Sequence, residues 1–375
     1  MKNPEIKNIA IVVNTSWNIY NFRLGLLKTL KNQGNKVFAI APKDNYSTQL
    51  EEEGIKFYPV SINNKGTGIR EDLKLIFDYY KLFKEIKPDL LLHYTIKPNV
   101  YGTLAAGLLG IPVISTISGL GTVFLNENFS SKIARLLYKI SMKIPSKVFF
   151  QNPHDRDVFL SKNLVDKGKT TIIPGSGVDT NKFKPLQIKK KKNEKFIFLM
   201  IARLVKDKGI IEYVDAARVV KSQFDNVEFW LLGSLYPGNP TAISQKELDF
   251  FIEEGNIKYL GHTDDVQMEI EKADCVVLPS YREGLSRVLL EASSMEKPII
   301  TTDVPGCSCL VDNNKNGYLC EVKNSKDLAQ KMEKMLRLKS DTLIKMGQNG
   351  RQKILKEFDE VIVINKYIDS IKSTI

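Results

Sequence analysis

The feature that most constrains the fold is a regular alternation of short apolar runs with longer segments of helical pattern along the whole chain. The runs of strand length lie at residues 9–13, 37–41, 90–93, 113–117, 148–151, 171–173, 196–201, 227–232, 257–260, 275–279 and 299–302. Strands that alternate with helices form parallel sheets with helices on both faces. The pattern therefore predicts an α/β protein built from doubly wound, Rossmann-like parallel sheets.

The length of the chain predicts two such domains. Single hydrophobic cores stop growing near about 250–300 residues, whereas this chain has 375 residues, of which 43% are hydrophobic. Between the two halves the sequence turns to Gly-Ser-Gly, then proline and a lysine run, which is typical of a solvated connection. We therefore expect domains at 1–180 and 181–360, followed by an amphipathic terminal helix at 361–375.

Composition excludes several classes of protein. The four cysteines all lie in the second half, and Cys307 and Cys309 form a C-x-C without a nearby histidine, too little for a zinc site. The first residues indicate a strand instead of a signal peptide, and no run of about 20 apolar residues could span a bilayer. The net charge of +12 comes without a nucleic-acid-reading motif. We expect a soluble or peripheral protein without a nucleic-acid partner.

The segment YREGLSRVLLEASSM places two carboxylates around the start of a predicted helix, just after a buried strand. Glu283 and Glu291 lie about 80° apart around the helix axis, so both can face the crevice above the sheet. The amides of Gly284, Leu285 and Ser286 would be unpaired first-turn donors, which favours an anion such as a diphosphate. Glu283 would then engage sugar hydroxyls and Glu291 ribose hydroxyls. Alternatively, Glu283 is a helix-start acid and Glu291 lies on a solvated face.

Two cations flank another strand-to-helix turn in the second half. The run FIFLMIARL predicts a strand and Lys208 opens a helical segment, so Arg203 and Lys208 lie on either side of the turn. Arginine can bind phosphate through two parallel hydrogen bonds, and lysine acts as a point charge. The pair indicates a phosphate site, although two cations in a loop are also common on plain solvated surface.

The first half contains a glycine pair and an acidic pair. Gly119 and Gly121 follow a predicted strand and would bring backbone close to a sugar or phosphate. Phe124 stands where the third glycine of a dinucleotide fingerprint belongs, so a nicotinamide oxidoreductase loses its main support. Asp155 and Asp157 form a D-x-D motif, but they lie at the start of a predicted helix, where solvated acids are common. We predict no bound metal.

The segment SSKIARLLYKISMKI begins at Ser130 and ends at Ile144. Its cations recur at steps of three and four, at Lys132, Arg135, Lys139 and Lys143. Apolar residues fill much of the remaining surface, a pattern typical of basic amphipathic helices that lie on anionic membranes. An ordinary surface helix with its apolar side on the core explains the pattern equally well.

Glu283 and Glu291 resemble the E-x7-E signature of glycosyltransferase family 4, whose members are retaining enzymes of the GT-B fold. MIARLVKDKGI resembles the diphosphate-binding Arg and Lys pair of that family, IIPGSGVDTNKFKP its interdomain segment, and YLGHTDDV its base-binding loop, with Gly261 and His262. These motifs cover the second half in order and spacing. The resemblance implies two Rossmann-like domains facing across a crevice, an acceptor-binding first domain, a nucleotide-sugar-binding second domain, and a terminal helix packed back on the first.

The resemblance also implies a reaction. Arg203 and Lys208 would stabilise the departing diphosphate of a UDP-sugar while Glu283 orients the sugar, with retention of configuration and without a metal or cofactor. The donor would carry an N-acetylhexosamine, and the acceptor would be a glycan on undecaprenyl diphosphate in bacterial polysaccharide or oligosaccharide assembly. Such an enzyme lies in the cytoplasm, on the inner face of the cytoplasmic membrane. A UDP-GlcNAc epimerase and a non-catalytic sugar-binding assembly protein are the alternatives.

The acceptor side is less distinctive. Many relatives place a histidine at the end of the strand that corresponds to residues 90–93, but strand alternation gives Tyr94 that orientation and points His93 to the opposite face. We therefore expect His93 to be structural. Lys97 and Asn99, in YTIKPNVYG, are further candidates for polar groups on the acceptor side. Lys97 and the proline after it could also simply end the strand.

Overall fold

The computed structural model describes residues 6–63, 68–120, 129–186 and 195–375. The chain forms two compact units. We call Met1–Ser176 with Glu360–Ile375 unit 1, and Gly177–Asp359 unit 2.

The strands of unit 1 are β1 (Asn8–Val12), β2 (Lys36–Ala41), β3 (Lys56–Pro59), β4 (Leu90–Tyr94), β5 (Val113–Ile117), β6 (Lys147–Phe150) and β7 (Thr170–Ile172). They form one parallel sheet in the order β3-β2-β1-β4-β5-β6-β7. The strand order therefore reverses between β1 and β4. Strand β3 was not predicted, because its sequence, KFYP, contains no continuous apolar run.

The helices of unit 1 are α1 (Ser16–Asn32), α2 (Asn45–Glu52), α3 (Ile69–Ile86), α4 (Thr103–Leu108), α5 (Phe129–Ser141), α6 (Pro153–Ser161) and the terminal α13 (Glu360–Lys372), with a π-helix at Pro98–Gly102. Helix α13 packs its apolar side into the core of unit 1. Its Tyr367 ring lies 4.8 Å from the Phe149 ring, and its hydroxyl hydrogen-bonds the Thr116 hydroxyl at 2.5 Å. The end of the chain is thus part of the first domain.

The strands of unit 2 are β8 (Phe196–Ile201), β9 (Val227–Leu232), β10 (Lys258–Tyr259), β11 (Cys275–Leu278), β12 (Ile299–Thr302) and β13 (Gly317–Cys320). They form a second parallel sheet in the order β10-β9-β8-β11-β12-β13, which reverses between β8 and β11. The helices are α7 (Ile210–Lys221), α8 (Gln245–Glu253), α9 (Val266–Lys272), α10 (Arg287–Ser294), α11 (Ser325–Leu336) and α12 (Ser340–Glu357).

The predicted fold class is confirmed, since both units are doubly wound parallel sheets. Parallel strands are covered on both faces, which is why they are continuous apolar runs in the sequence. In β1, for example, Ile9 to Val12 are each no more than 1% exposed. Among the described residues, no helix is both long and apolar enough to cross a bilayer.

Candidate functional site

Two loops of unit 2 meet beside the point where its strand order reverses. Lys208 follows β8 and Glu283 follows β11, and these strands are neighbours in the sheet. The Lys208 ammonium and the Glu283 carboxylate form an ion pair in which the side chains are 19% and 14% exposed. Doubly wound sheets bind ligands at the carboxyl ends of their strands, at such a reversal. A predicted cation and a predicted carboxylate therefore lie together where a ligand is expected.

The first of these loops is fixed to the end of β11. A short 3-10 helix, Lys206–Lys208, ends at Gly209, whose φ of +78° is left-handed. A Cβ at Gly209 would lie 2.2 Å from the Pro279 carbonyl oxygen, so a side chain does not fit. The Tyr281 amide also donates to the Asp207 carbonyl at 2.9 Å. These contacts hold the two loops together.

Arg203 also follows β8, and its side chain is exposed. Its guanidinium carbon lies 4.7 Å from the centre of the Tyr236 ring, in cation–π contact. The ring covers one face of the guanidinium and leaves its N–H edge suited to bidentate contact with phosphate oxygens. Sequence reasoning missed Tyr236, because it lies in an irregular loop after β9 that carries no recognised motif.

The loop after β11 differs from the predicted anion site. Helix α10 has Ser286 as its N-cap, so Gly284, Leu285 and Ser286 precede the helix instead of forming its first turn. The Ser286 amide donates to the Gly306 carbonyl at 2.9 Å. The prediction that Ser286 offers an unpaired donor is therefore wrong, because backbone from the loop after β12 already accepts that hydrogen bond.

The loop after β12 supports the backbone of Glu283. Gly306 has a φ of +79°, and a Cβ there would lie 2.4 Å from the Glu283 carbonyl oxygen and 2.7 Å from that of Gly284. The Glu283 amide donates to the Pro305 carbonyl at 3.3 Å. Glycine at position 306 thus permits a close approach that positions the candidate catalytic carboxylate, and no motif in the sequence indicated it.

Glu291 is buried and paired within its own helix. It is 7% exposed, and Arg287 Nε donates to its Oε1 at 2.7 Å, with the i,i+4 spacing that brings such side chains together. Burial raises the pKa of the Glu291 carboxyl, and Arg287 opposes that shift. The arginine one turn earlier thus holds one carboxylate oxygen of Glu291, and contact of Glu291 with ribose hydroxyls stays a prediction.

The predicted base-binding loop follows β10. The Gly261 carbonyl accepts a hydrogen bond from the Gly233 amide at 2.7 Å, which joins the loops after β9 and β10. Gly261 has a left-handed φ of +73°, and His262 is exposed. Their contact with a nucleotide base stays a prediction.

The three acceptor-side candidates lie within unit 1. Tyr94 and Asn99 are each 1% exposed. Asn99 Nδ2 donates to the Thr116 carbonyl at 2.8 Å, and Lys97 Nζ pairs with Asp72 at 2.8 Å. The π-helix that follows β4 contains Asn99 among its buried residues. Each of the three side chains is therefore covered by, or paired with, a protein neighbour, and their contact with an acceptor stays a prediction.

His93 packs against Phe83, which belongs to the core cluster on the face of the sheet opposite to that of Tyr94. It is fully buried, its Nδ1 lies 2.9 Å from the Thr103 hydroxyl, and its ring stacks on Phe83. Burial lowers the pKa of His93 to about 3. The interpretation of His93 as a structural residue agrees with this environment.

The structure describes one residue of the glycine pair and both residues of the acidic pair that the sequence indicated in unit 1. Gly119 is described and has a φ of +147°, whereas Gly121 lies outside the described residues. The Asp155 amide donates to the Asn152 side chain at 2.8 Å, and α6 begins there as predicted. Asp157 is exposed, but Asp155 is 0% exposed, so the prediction of a solvated acid is wrong for Asp155. Across the described part of the chain, no three His, Cys, Asp or Glu side chains are grouped as a metal site would require.

Two known protein families match most of the chain. Residues 8–152 match the family described as Glycosyl transferase 4-like, and residues 181–353 match Glycosyl transferases group 1. A Campylobacter jejuni relative, N,N'-diacetylbacillosaminyl-diphospho-undecaprenol alpha-1,3-N-acetylgalactosaminyltransferase, is 30% identical over 96% of this chain and 97% of its own. An Escherichia coli relative, UDP-Gal:alpha-D-GlcNAc-diphosphoundecaprenol alpha-1,3-galactosyltransferase, is 26% identical over 91% of each chain.

Solved structures share the fold at lower identity. A glycosyltransferase from Rickettsia africae matches with a TM-score of 0.79 and 20% identity over 99% of both chains. Anabaena Alr3699/HepE, solved in complex with UDP and glucose, matches with a TM-score of 0.79 and 19% identity over 98% of this chain and 100% of its own. At such identities the likeness shows the two-domain GT-B fold.

Proposed function

The chain belongs to glycosyltransferase family 4, and from this premise we propose that it transfers an N-acetylhexosamine from a UDP-sugar to a glycan on undecaprenyl diphosphate. The two relatives described above are named for transfer of N-acetylgalactosamine or galactose to undecaprenyl-diphosphate-linked sugars, which supports this acceptor class. A UDP complex of a protein with the same fold supports the nucleotide. The proposed setting is the assembly of a bacterial polysaccharide or oligosaccharide.

The observation that carries the proposal is the Lys208 and Glu283 ion pair at the strand reversal of unit 2, with Arg203 in the same loop after β8. Cleavage of the bond between sugar and diphosphate leaves additional negative charge on the diphosphate. Preorganised cations that lie where charge develops stabilise the transition state more than the ground state. Arg203 and Lys208 would take this role, which other enzymes give to a metal ion.

Glu283 has two roles in this proposal. Its carboxylate holds the Lys208 ammonium in place before the donor binds. With the donor bound, it would accept hydrogen bonds from sugar hydroxyls and so orient the anomeric carbon. Family analogy supports front-face substitution, in which a leaving phosphate oxygen takes the proton of the acceptor hydroxyl and the anomeric configuration is retained.

A transfer assay tests the proposal. Purified protein is incubated with UDP-GalNAc or UDP-GlcNAc and an undecaprenyl-diphosphate-linked glycan, with and without EDTA. We expect a lengthened glycan with an α-linkage by NMR and an unchanged rate with EDTA. An inverted linkage would contradict the retaining mechanism, and loss of activity with EDTA would contradict the absence of a metal. Conversion of the UDP-sugar without acceptor into free sugar or its epimer would favour an epimerase.

Helix α5 supports a peripheral position on the membrane. Tyr138 packs inward at 2% exposure, while Ile133, Leu136 and Ile140 are 42%, 57% and 48% exposed. These three residues recur at helical spacing, so the helix presents an outer apolar stripe. Lys139, beside it, is also exposed. An apolar stripe flanked by cations suits the interface of an anionic bilayer, where a lipid-linked acceptor resides.

Vesicle sedimentation tests this position. We expect phosphatidylglycerol vesicles at low salt to retain the protein, and neutral phosphatidylcholine vesicles to retain it poorly. Leu136→Ala with Ile140→Ala should weaken retention about tenfold or more, since about 25 cal/mol is lost per Å² of apolar area removed from the interface. Charge reversal of Arg135 and Lys139 should also weaken retention of the protein by phosphatidylglycerol vesicles. Leu355→Ala, at a 39% exposed leucine of unit 2, is the matched control. Equal retention of all variants would contradict the role of α5.

A further inference from the structure

A buried arginine in unit 1 has no acidic partner in the part of the chain that the structure describes. Arg23 lies on α1 and is 6% exposed. Its Nη1 donates to the carbonyl of the preceding residue, Phe22, at 3.0 Å. Its Nε is buried and has no acceptor within the described residues, and none of their carboxylates forms an ion pair with the guanidinium. A buried guanidinium normally lies against a carboxylate or an anion, because its desolvation is otherwise uncompensated.

Two tyrosines, Tyr94 and Tyr367, lie near Arg23. Its guanidinium carbon lies 4.4 Å from the centre of the Tyr94 ring. The Tyr94 hydroxyl is buried and faces that of Tyr367 without a well-formed hydrogen bond. The Tyr367 hydroxyl instead bonds the hydroxyl of Thr116. Burial raises the pKa of both phenols, so neither is a phenolate that balances the charge of Arg23.

The position of this cluster is that of a ligand site. Tyr94 is the last residue of β4, and Arg23 lies on the helix that follows β1. Strands β1 and β4 are the neighbours between which the strand order of unit 1 reverses. Sheets of this class bind ligands at the carboxyl ends of such strands. An unbalanced cation and an unsatisfied hydroxyl therefore lie together at a place suited to an anion.

We propose that Arg23 and Tyr94 form a subsite in unit 1 that binds a phosphoryl group, and that this group is a phosphate of the acceptor diphosphate. Phosphate oxygens accept hydrogen bonds from both the guanidinium and the phenol, and their charge balances the cation. The cations proposed for the donor diphosphate lie in unit 2, so this subsite serves the second substrate. The identity of the acceptor rests on the function proposed above, whereas the anion subsite does not.

The test measures binding of inorganic diphosphate by calorimetry to full-length protein saturated with UDP, which blocks the donor site. We expect wild type to bind diphosphate, and Arg23→Met to weaken that binding about tenfold or more, as loss of a hydrogen bond to a charged group would. Tyr94→Phe keeps the ring and should weaken it severalfold. Arg70→Met removes an exposed arginine from α3 and should leave it unchanged. Equal diphosphate binding by wild type and Arg23→Met would overturn the subsite.

Thermal unfolding separates a binding role from a structural one. Arg23→Met removes an uncompensated buried charge, so its Tm without ligand should equal or exceed that of wild type. Diphosphate should raise the Tm of wild type but not that of Arg23→Met. A lower Tm for Arg23→Met, together with diphosphate binding equal to that of wild type, would show that Arg23 only packs the core.

A soluble short-chain prenyl-diphosphate N-acetylhexosamine identifies the source of the phosphate. We expect it to compete with inorganic diphosphate and Arg23→Met to raise its KM about tenfold, with the KM of the UDP-sugar unchanged. Diphosphate binding without such competition would overturn the assignment to the acceptor and leave a site for free phosphate. Failure of the donor proposal is seen separately, as absence of UDP binding on the same samples before diphosphate is added.

Discussion

The two units place polar groups at corresponding edges of their sheets but bury them to different extents. In unit 2, Lys208 and Glu283 stand at the reversal between β8 and β11 with side chains that are 19% and 14% exposed. In unit 1, Arg23 and Tyr94 stand at the reversal between β1 and β4 with 6% and 1% exposure. Loops carry the first pair beyond the strand ends. The second pair lies on a helix and at the end of a strand, beside the terminal helix α13.

This difference separates two ways of building a site. Loop residues remain accessible and can exchange a protein partner for a ligand, as the Lys208 and Glu283 pair would on donor binding. Residues within regular elements are fixed, and their burial affects stability as well as binding. Substitutions in the unit 2 loops should therefore change turnover with little effect on stability, whereas those at the unit 1 strand ends should change stability.

The largest expected effect is on turnover in unit 2. Glu283→Ala removes the carboxylate that orients the sugar and holds Lys208, and we expect kcat for transfer to fall about 100- to 1,000-fold, in line with loss of one preorganised polar group. Circular dichroism should show an unchanged fold. Glu253→Ala, at an exposed glutamate of α8, is the control and should keep full activity. Undiminished transfer by Glu283→Ala would remove Glu283 from the site.

A second prediction concerns the support beneath Glu283. Gly306→Ala should destabilise the protein by about 3 kcal/mol, because the left-handed backbone and the clash with two carbonyls add. Gly255 is the control, because its φ is also positive, at +70°, but nothing lies within 4 Å of the position that a Cβ would take. Gly255→Ala should lower the free energy of unfolding by only about 1 kcal/mol. Urea unfolding measures both, and equal losses would mean that strain alone, not the close approach to Glu283, matters at position 306.

The third prediction concerns burial in unit 1. The pKa of His93 is lowered to about 3 from its ordinary value of 6.5, so between these values the unfolded chain binds a proton that the folded protein does not. Stability should fall as the pH drops below about 6.5, with a contribution from His93 of about 2 kcal/mol lost by pH 5. His93→Gln should remove that part of the pH dependence.

His154→Gln is the matched control, since His154 is exposed at the start of α6. Urea unfolding at pH 7 and pH 5 compares the three proteins. The same loss of stability at low pH in His93→Gln and wild type would show that His93 does not contribute to it.

The smallest expected effect concerns the aromatic contact of Arg203. Tyr236→Ala removes the ring that lies 4.7 Å from the guanidinium carbon. UDP affinity should fall about three- to fivefold, the equivalent of about 0.5–1 kcal/mol for a cation–π contact at an exposed site. Tyr236→Phe keeps the ring and should restore affinity. Equal weakening by both variants would point to the hydroxyl instead of the ring.

The sequence was most informative about the sheets and about the loops of unit 2. Buried parallel strands are apolar runs, so most could be located, while the short β3 and β13 could not. Lys208 and Glu283 were recognised because motifs of a known family carry them. Gly306 was not, since its role depends on a carbonyl that lies more than 20 residues away in sequence.

The sequence was less informative about partners within the fold. Glu291 was expected to be free, yet Arg287 lies one turn earlier and the i,i+4 spacing was itself a visible signal. The burial of Tyr94 depends on Tyr367, which is far along the chain on α13. Arg23 carried no signal, because arginine on a helix is normally exposed and only the packing of unit 1 encloses it.

Nucleotide binding by Arg203→Ala tests the central claim most directly. Calorimetry with UDP, GDP and ADP compares wild type, Arg203→Ala and Arg337→Ala, the last removing an arginine that packs on Phe224 in the same unit. We predict preferential binding of UDP by wild type, a loss of about 10- to 100-fold in Arg203→Ala and no change in Arg337→Ala. Absence of nucleotide binding, or UDP binding by Arg203→Ala as tight as by wild type, would contradict the assignment of a UDP-sugar site to the unit 2 loops.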